Sequence, residues 1–325
     1  MNKYLVENLS DIKSLQQLPT RDGYGKGLVK AGEKDNRVVV LCADLAESTR
    51  SQWFLEKFPE RFVEMGVAEQ NMATVAAGMA NYGKIPFISS YAAFSPGRNN
   101  EQIRTTISIN NVPVKIAGAH AGVSVGPDGA THQALEDIAL MRAQPNMVVI
   151  SPCDAVEAEK ATFEAAFNGK PTYIRLGREK TPVMTTKKTP FKIGKAEVFM
   201  EGKDVTIIAT GPLVYEALLA AHELEKEGIF AEVINLHTIK PVDEKAILES
   251  VKKTGAVVTV EEHQIMAGMG SAVAEVLAQN FPVPVEFIGI HDSFGQSGEP
   301  DELLNFFELT NPFIVKAAKK SIKRK

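Results

Sequence analysis

Ten short runs of apolar, largely β-branched residues recur along the chain, with helix-length stretches between most of them. In the first half they are RVVVLCA (37–43), RFVEMGV (61–67), IPFISSY (85–91), PVKIAGAH (113–120), MVVISP (147–152) and PTYIRLG (171–177). In the second half they are DVTIIAT (204–210), AEVINLH (231–237), AVVTVEEH (256–263) and VPVEFIGI (283–290). Near-continuous apolar strands divided by helices mean a mostly parallel sheet covered on both faces. The pattern predicts helices near 21–32, 69–82, 98–110, 132–143 and 154–167. Asp154, with Glu157 three residues on, opens the last of these in the manner of a capping box. The fold class is α/β, in two three-layer units. The Lys/Thr/Pro-rich stretch REKTPVMTTKKTPFKIG (178–194) has the composition of a linker laid over a surface. It divides a first domain at residues 1–185 from a second at 186–325.

At 325 residues the chain has material for two domains with sizeable cores. A net charge of -4 and a pI near 6.0 give no reason to expect nucleic acid as a partner. No apolar run reaches the roughly 18 residues of a membrane span, and the start MNKYLVENLSDIK does not read as a signal peptide, so the expected compartment is cytoplasmic. Cys42 and Cys153 are too few for a disulfide framework and read as small buried hydrophobes. The tail KAAKKSIKRK reads as a solvated helix end.

Open parallel sheets bind ligands beyond the carboxyl ends of their strands, where Glu69, Tyr91, His120 and Arg178 fall. Glu69 opens the nearly chargeless helix of GVAEQNMATVAAGMA (66–80), where an acid also complements the positive end of the helix dipole. The segment GAHAGVSVGPDGATHQALED (118–137) holds His120, Asp128 and His132 among four glycines, which marks a shaped loop. Asp128 can serve there as a mere cap, but three such residues in one loop after a strand point to a site. Arg21, Ser48 and Arg178 add two guanidinium forks and a hydroxyl, a set suited to a phosphate monoester. Tyr91 and Phe94 in SSYAAFSPGRNNEQ offer flat faces, as core aromatics or as a stacking surface for a ligand ring. GMGSAV (268–273) lacks the third glycine of a dinucleotide fingerprint and is discounted.

The segments PTRDGYG, ADLAEST, GVAEQNM, SYAAF, GPDGATHQ, YIRLGR, TIKPVD and SGEPDELL together closely resemble the C-terminal half of transketolase, over nearly the whole chain. The resemblance implies a pyrimidine-binding domain for thiamine diphosphate at residues 1–185 and a transketolase C-terminal domain at 186–325. It makes Glu69 the glutamate that hydrogen-bonds a pyrimidine ring nitrogen and favours the imino tautomer. Phe94 and Tyr91 match the aromatics around the aminopyrimidine. His132 matches the histidine near the reacting carbonyl, and Asp128 the aspartate that reads an acceptor hydroxyl. Arg21, Ser48, His120 and Arg178 match the set that holds the sugar phosphate.

The sequence also departs from the family. It has no GDG followed by an Asn, the motif that holds metal and diphosphate, and Gly97 and Arg98 stand where a third aromatic is expected. The implied enzyme is split: a ketol-transferring subunit active only with a partner that carries the diphosphate, a divalent metal (Mg2+) and further histidines. A homodimer of such heterodimers, a heterotetramer acting on sugar phosphates in the pentose phosphate pathway, is the expected assembly. Two relatives remain open, 1-deoxyxylulose-5-phosphate synthase and the β subunit of a 2-oxo acid dehydrogenase. His120 stands where the synthase has an aspartate, and the phosphate set suits a sugar phosphate better than a lipoyl arm. A non-catalytic scaffold and a phosphosugar-binding module are the readings from other classes.

Overall fold

The computed structural model describes residues 2–325. All ten runs are strands, and they divide between two sheets. The first sheet has seven strands, in the spatial order Thr238–Lys240, Val148–Ile150, Thr172–Arg175, Lys115–Ala119, Ile85–Tyr91, Val38–Cys42, Phe62–Glu64. Every pairing in it is parallel except the first. The second sheet runs Val285–Ile290, Val257–Gln264, Val205–Ala209, Ala231–Asn235, Glu197–Met200, and only its last strand is antiparallel.

Successive residues of the central strands point to opposite faces, and both faces are apolar, which is why the runs do not alternate. Val38, Val40, Phe87, Ala117 and Ile174 pack toward Tyr24 and Leu28 of the helix Thr20–Lys34 and Ala158 and Ala165 of the helix Ala155–Phe167. These helices approach so closely that a Cβ on Gly23 would stand 2.0 Å from the Ala155 carbonyl oxygen. Val39, Leu41, Ile88 and Ile116 face the other way, and their apolar cluster continues to Ile208, Ile234 and Val257 of the second sheet. The two halves share a core.

Packing also crosses the sequence boundary expected at residues 185 and 186. Leu5, Leu9 and Leu15 are buried with Phe199, Val205 and Val214 of the second half, and Tyr215 donates its hydroxyl to the Leu9 carbonyl at 3.0 Å. Thr238–Lys240 leaves the second half to pair with Val148–Ile150. The stretch expected as a loose surface linker is instead a packed strap. Thr181–Pro182 pairs with Gln17–Leu18, and Val183, Met184 and Thr185 are buried. Met184 and Thr185 donate their amides to Asp154 Oδ2 at 2.8 and 2.6 Å. The same carboxylate caps the helix Ala155–Phe167 by accepting from the Glu157 amide at 2.8 Å. Glu157 does not close the box on Asp154; it accepts from the Cys153 amide at 2.7 Å.

Two expected helices are shorter or different. The helix predicted over 132–143 begins only at Asp137. The stretch predicted over 98–110 is a short turn, Asn100–Gln102, running into the π-helical Ile103–Ser108. Among the described residues no helix is long and apolar enough to cross a membrane. Cys42 and Cys153 are both buried.

Candidate active site

The carboxyl ends of the first sheet's strands carry a cluster of rings. Tyr91 ends its strand and pairs in register with Ala119 of the next, so His120 follows beside it. Their rings stack with centroids 3.8 Å apart and planes 24° from parallel. Phe94 stacks on Tyr91 at 5.8 Å, and His132 stands edge-on to both, 5.4 Å from Phe94 and 6.1 Å from Tyr91. Residues from a strand end, a turn and the Gly-rich loop, 41 positions apart in chain order, thus form one aromatic wall.

Glu69 is the first residue of the helix Glu69–Asn81 and only 2% exposed. Its Oε2 accepts from Arg98 Nη1 at 2.9 Å, and its carbonyl accepts from Asn99 Nδ2 at 3.0 Å. Arg98 in turn lies over the Phe94 ring, 4.7 Å from its centroid. The carboxylate and the ring cluster are therefore joined through one guanidinium.

At the other end of the wall sit the basic groups. Arg21 Nη1 is 3.3 Å from His120 Nε2 and donates to the Ser48 carbonyl at 2.8 Å. Ser48 meets Arg21 through its backbone, not its hydroxyl. Burial first, then the charges of Arg21 and Arg178, push His120 down to about 3, so its imidazole is neutral at physiological pH. His120 holds a left-handed backbone, φ 54°, and its Nδ1 is buried without a hydrogen-bond partner. An unpaired ring nitrogen on an imidazole whose other nitrogen meets Arg21 suits an oxyanion. Arg178, partly buried, donates to the Val125 carbonyl at 2.7 Å and pairs with Glu179 at 3.3 Å. Asp128 is exposed at the end of the turn Val123–Asp128, on the loop that also carries His132.

The second half fastens this loop. Buried Glu262, from the strand Val257–Gln264, accepts from the Ser124 amide at 2.6 Å. Gly122, at φ 92°, leaves room for it: a Cβ there would stand 2.3 Å from the Glu262 carboxylate. Gln133 Nε2 reaches the carbonyls of Val123, Gly126 and Gln296 at 3.1, 3.2 and 2.9 Å. Beneath the loop, buried Arg175 donates to Asp137 Oδ2 at 2.8 Å and to the Glu262 carbonyl at 2.8 Å. Burial, the largest single influence, would raise the Asp137 carboxyl, but the charges of Arg175 and His263 and the hydrogen bonds from Arg175 and Tyr173 together hold the group below the usual carboxylate range.

Sequence reasoning passed over Arg50, Asn99, Arg175 and Glu262. Arg50 pairs with Asp22 at 2.8 Å behind Arg21. The one available signal was charge inside apolar strands, Arg175 in PTYIRLG and two acids in AVVTVEEH. Among the described residues no group of three or more His, Cys, Asp or Glu side chains is placed to hold a metal ion.

Comparison with known proteins matches the chain to a family. Residues 16–184 match the model for the transketolase pyrimidine-binding domain, and residues 194–314 that for the transketolase C-terminal domain. The chain is 46% identical to a putative transketolase C-terminal section of Methanocaldococcus jannaschii, covering 94% of this chain and 96% of that one. It is 43% identical to a 6-deoxy-6-sulfo-D-fructose transketolase subunit of a Clostridium species, over 94% of this chain and 95% of the relative. A solved structure described as a split-gene transketolase, inactive β4 tetramer, superposes with a TM-score of 0.89 at 47% identity, covering 95% of this chain and 99% of that chain. With both domains matched and its relatives aligned over nearly their full length, the chain belongs to the transketolase family.

Proposed function

We propose that this chain is the pyrimidine-side subunit of a split, thiamine diphosphate-dependent transketolase, moving a two-carbon ketol unit from a ketose phosphate to an aldose phosphate. One observation carries the reading: a buried carboxylate, Glu69, stands at one end of an aromatic wall whose other end, His120, meets Arg21. The residues fit the cofactor. An aminopyrimidine is flat and carries ring nitrogens; Phe94 and Tyr91 offer it faces, and Glu69 a hydrogen-bonding carboxyl group. When bound, thiamine diphosphate supplies the electron sink that lets a carbon–carbon bond of the ketose break.

The side chains of this subunit bind, orient and handle protons. Glu69 hydrogen-bonds the pyrimidine ring nitrogen and favours the imino tautomer. His132, edge-on to Phe94, contacts the reacting carbonyl and its hydroxyls, and Asp128 reads an acceptor hydroxyl. Arg21, Arg178, His120 and Ser48 hold the sugar phosphate, whose remote binding orients the reacting carbon. A neutral His120 donates one N–H to the phosphate without adding a third positive charge beside Arg21 and Arg178.

The divalent metal, Mg2+, and the diphosphate belong to a separate subunit that also brings further histidines. A solved relative named as an inactive β4 tetramer of a split-gene transketolase supports dependence on such a partner. The assembly is then a homodimer of heterodimers in the cytoplasm, serving the pentose phosphate pathway. The domain division stays at residues 1–185 and 186–325, near the gap between the two family matches. The test is reconstitution with thiamine diphosphate and Mg2+, feeding xylulose 5-phosphate and ribose 5-phosphate. A seven-carbon ketose phosphate formed only when both subunits are present supports the proposal. Turnover of pyruvate alone, or ketol transfer by this chain without a partner, overturns it.

A further inference from the structure

Arg98 stands where a third aromatic was expected, and the proposed chemistry leaves it unused. The turn that carries it is rigid. Gly97 donates its amide to the Ala92 carbonyl at 3.1 Å and Arg98 donates its own to the Phe94 carbonyl at 2.9 Å. A Cβ on Gly97 would stand 2.1 Å from the Ala93 carbonyl oxygen, so no other residue fits. Asn99 is fully buried, and its Nδ2 bonds both Ser95 Oγ, at 3.1 Å, and the Glu69 carbonyl, at 3.0 Å. Consecutive residues of one turn thus hold Glu69 at both ends, Asn99 by its backbone and Arg98 by its carboxylate. Arg98 takes Oε2 alone; Oε1 has no hydrogen-bond partner among the described residues. The guanidinium carbon lies over the Phe94 ring, 4.7 Å from its centroid, where the ring face attracts a cation.

We infer that Arg98 is a positioning residue for the proposed cofactor site: it clamps Oε2 of Glu69 so that Oε1 faces the pyrimidine ring, using Phe94 as the shared floor. The inference rests on the reading of Glu69 and Phe94 as the pyrimidine pocket. A carboxyl group tethered at one oxygen loses rotational freedom before the ligand arrives, so less is lost on binding. An opposite arrangement is physically possible, in which the flat guanidinium occupies the ring's own seat and must leave before the ring enters. The two differ in sign. A clamp removed weakens cofactor binding, whereas a seat vacated strengthens it.

Arg98 is 48% exposed, so its replacement leaves the core intact. The experiment measures thiamine diphosphate affinity by titration calorimetry, with Mg2+, in the reconstituted complex of wild type, Arg98→Met and Arg98→Lys, alongside sugar kinetics and a thermal melt. Arg98→Met is expected to weaken cofactor binding about tenfold and to lower kcat with the sugar KM unchanged, while the thermal melt shows that the complex remains folded. Arg98→Lys recovers part of both, because an ammonium still bonds Oε2 but lacks the planar fork of the guanidinium. Equal or tighter binding by Arg98→Met overturns the clamp while leaving the pocket assignment standing. If wild-type complex binds no thiamine diphosphate, the pocket assignment fails and the clamp with it.

Discussion

The His120 imidazole lies flat on the Tyr91 ring, 3.8 Å between centroids, while its Nε2 stands 3.3 Å from the Arg21 guanidinium. One residue therefore ties the ring wall to the basic end of the site. The join follows from register, since Tyr91 pairs with Ala119 across adjacent parallel strands. If His120 holds the sugar phosphate as proposed, displacing it disturbs anion binding first, because its stacked face only packs.

His120→Ala is expected to raise the KM for the ketose phosphate about 10- to 100-fold in the reconstituted enzyme, with a smaller fall in kcat. A hydrogen bond to a charged group contributes about 1.5–3 kcal/mol, which converts to that range. Steady-state kinetics decide it. A fall in kcat with KM unchanged would remove His120 from the phosphate set.

Glu69→Gln is isosteric and keeps the Asn99 bond to its carbonyl, so folding is preserved. Loss of a positioned proton-handling group costs about 100-fold or more in rate. The expected result is that fall in kcat with an unchanged melting temperature. Near-normal turnover would favour a scaffold role for the chain.

Arg175→Met leaves the Asp137 carboxylate buried, with only the Tyr173 hydroxyl, 2.6 Å away, still donating to it. Breaking a buried ion pair from one side costs about 3–5 kcal/mol. Denaturant unfolding should show a loss of that size, and the double variant Arg175→Met with Asp137→Leu should recover part of it. An equal loss in the double variant would mean the cost lies in packing.

Burial, and then the neighbouring Asp154 charge, push the Glu157 carboxyl up to about 7. The folded chain then binds the extra proton between the ordinary glutamate range and about pH 7, so this group's contribution falls as pH rises through that window. Glu157→Gln does not titrate. Relative to wild type it should gain on the order of 2 kcal/mol between pH 5 and pH 8, read as the difference in unfolding free energy. Glu261, similarly raised to about 7, is common to both proteins and cancels. A difference independent of pH would refute the assignment.

The strands were legible because apolar residues on both faces leave a continuous run, a signal strong enough to place all ten. Thr238–Lys240 escaped, since three residues at a sheet edge carry no period. The helix predicted from 132 begins at Asp137 because Gln133 turns inward to bond three carbonyls, holding residues 123–136 as loop. The candidate residues were found mostly by position, at strand ends. Their partners were not: Glu262 reaches Ser124 across 138 positions, and Arg175 reaches the Glu262 carbonyl across 87.

By itself the sequence determined the α/β plan and which side chains gather beyond the strands, because a strand's end and its exit direction follow from local pattern. Only the tertiary structure decided who partners whom: Arg98 on Glu69, a neutral His120 against Arg21, a shared core between halves. Those outcomes depend on distance and on exclusion of water, and neither is written in chain order.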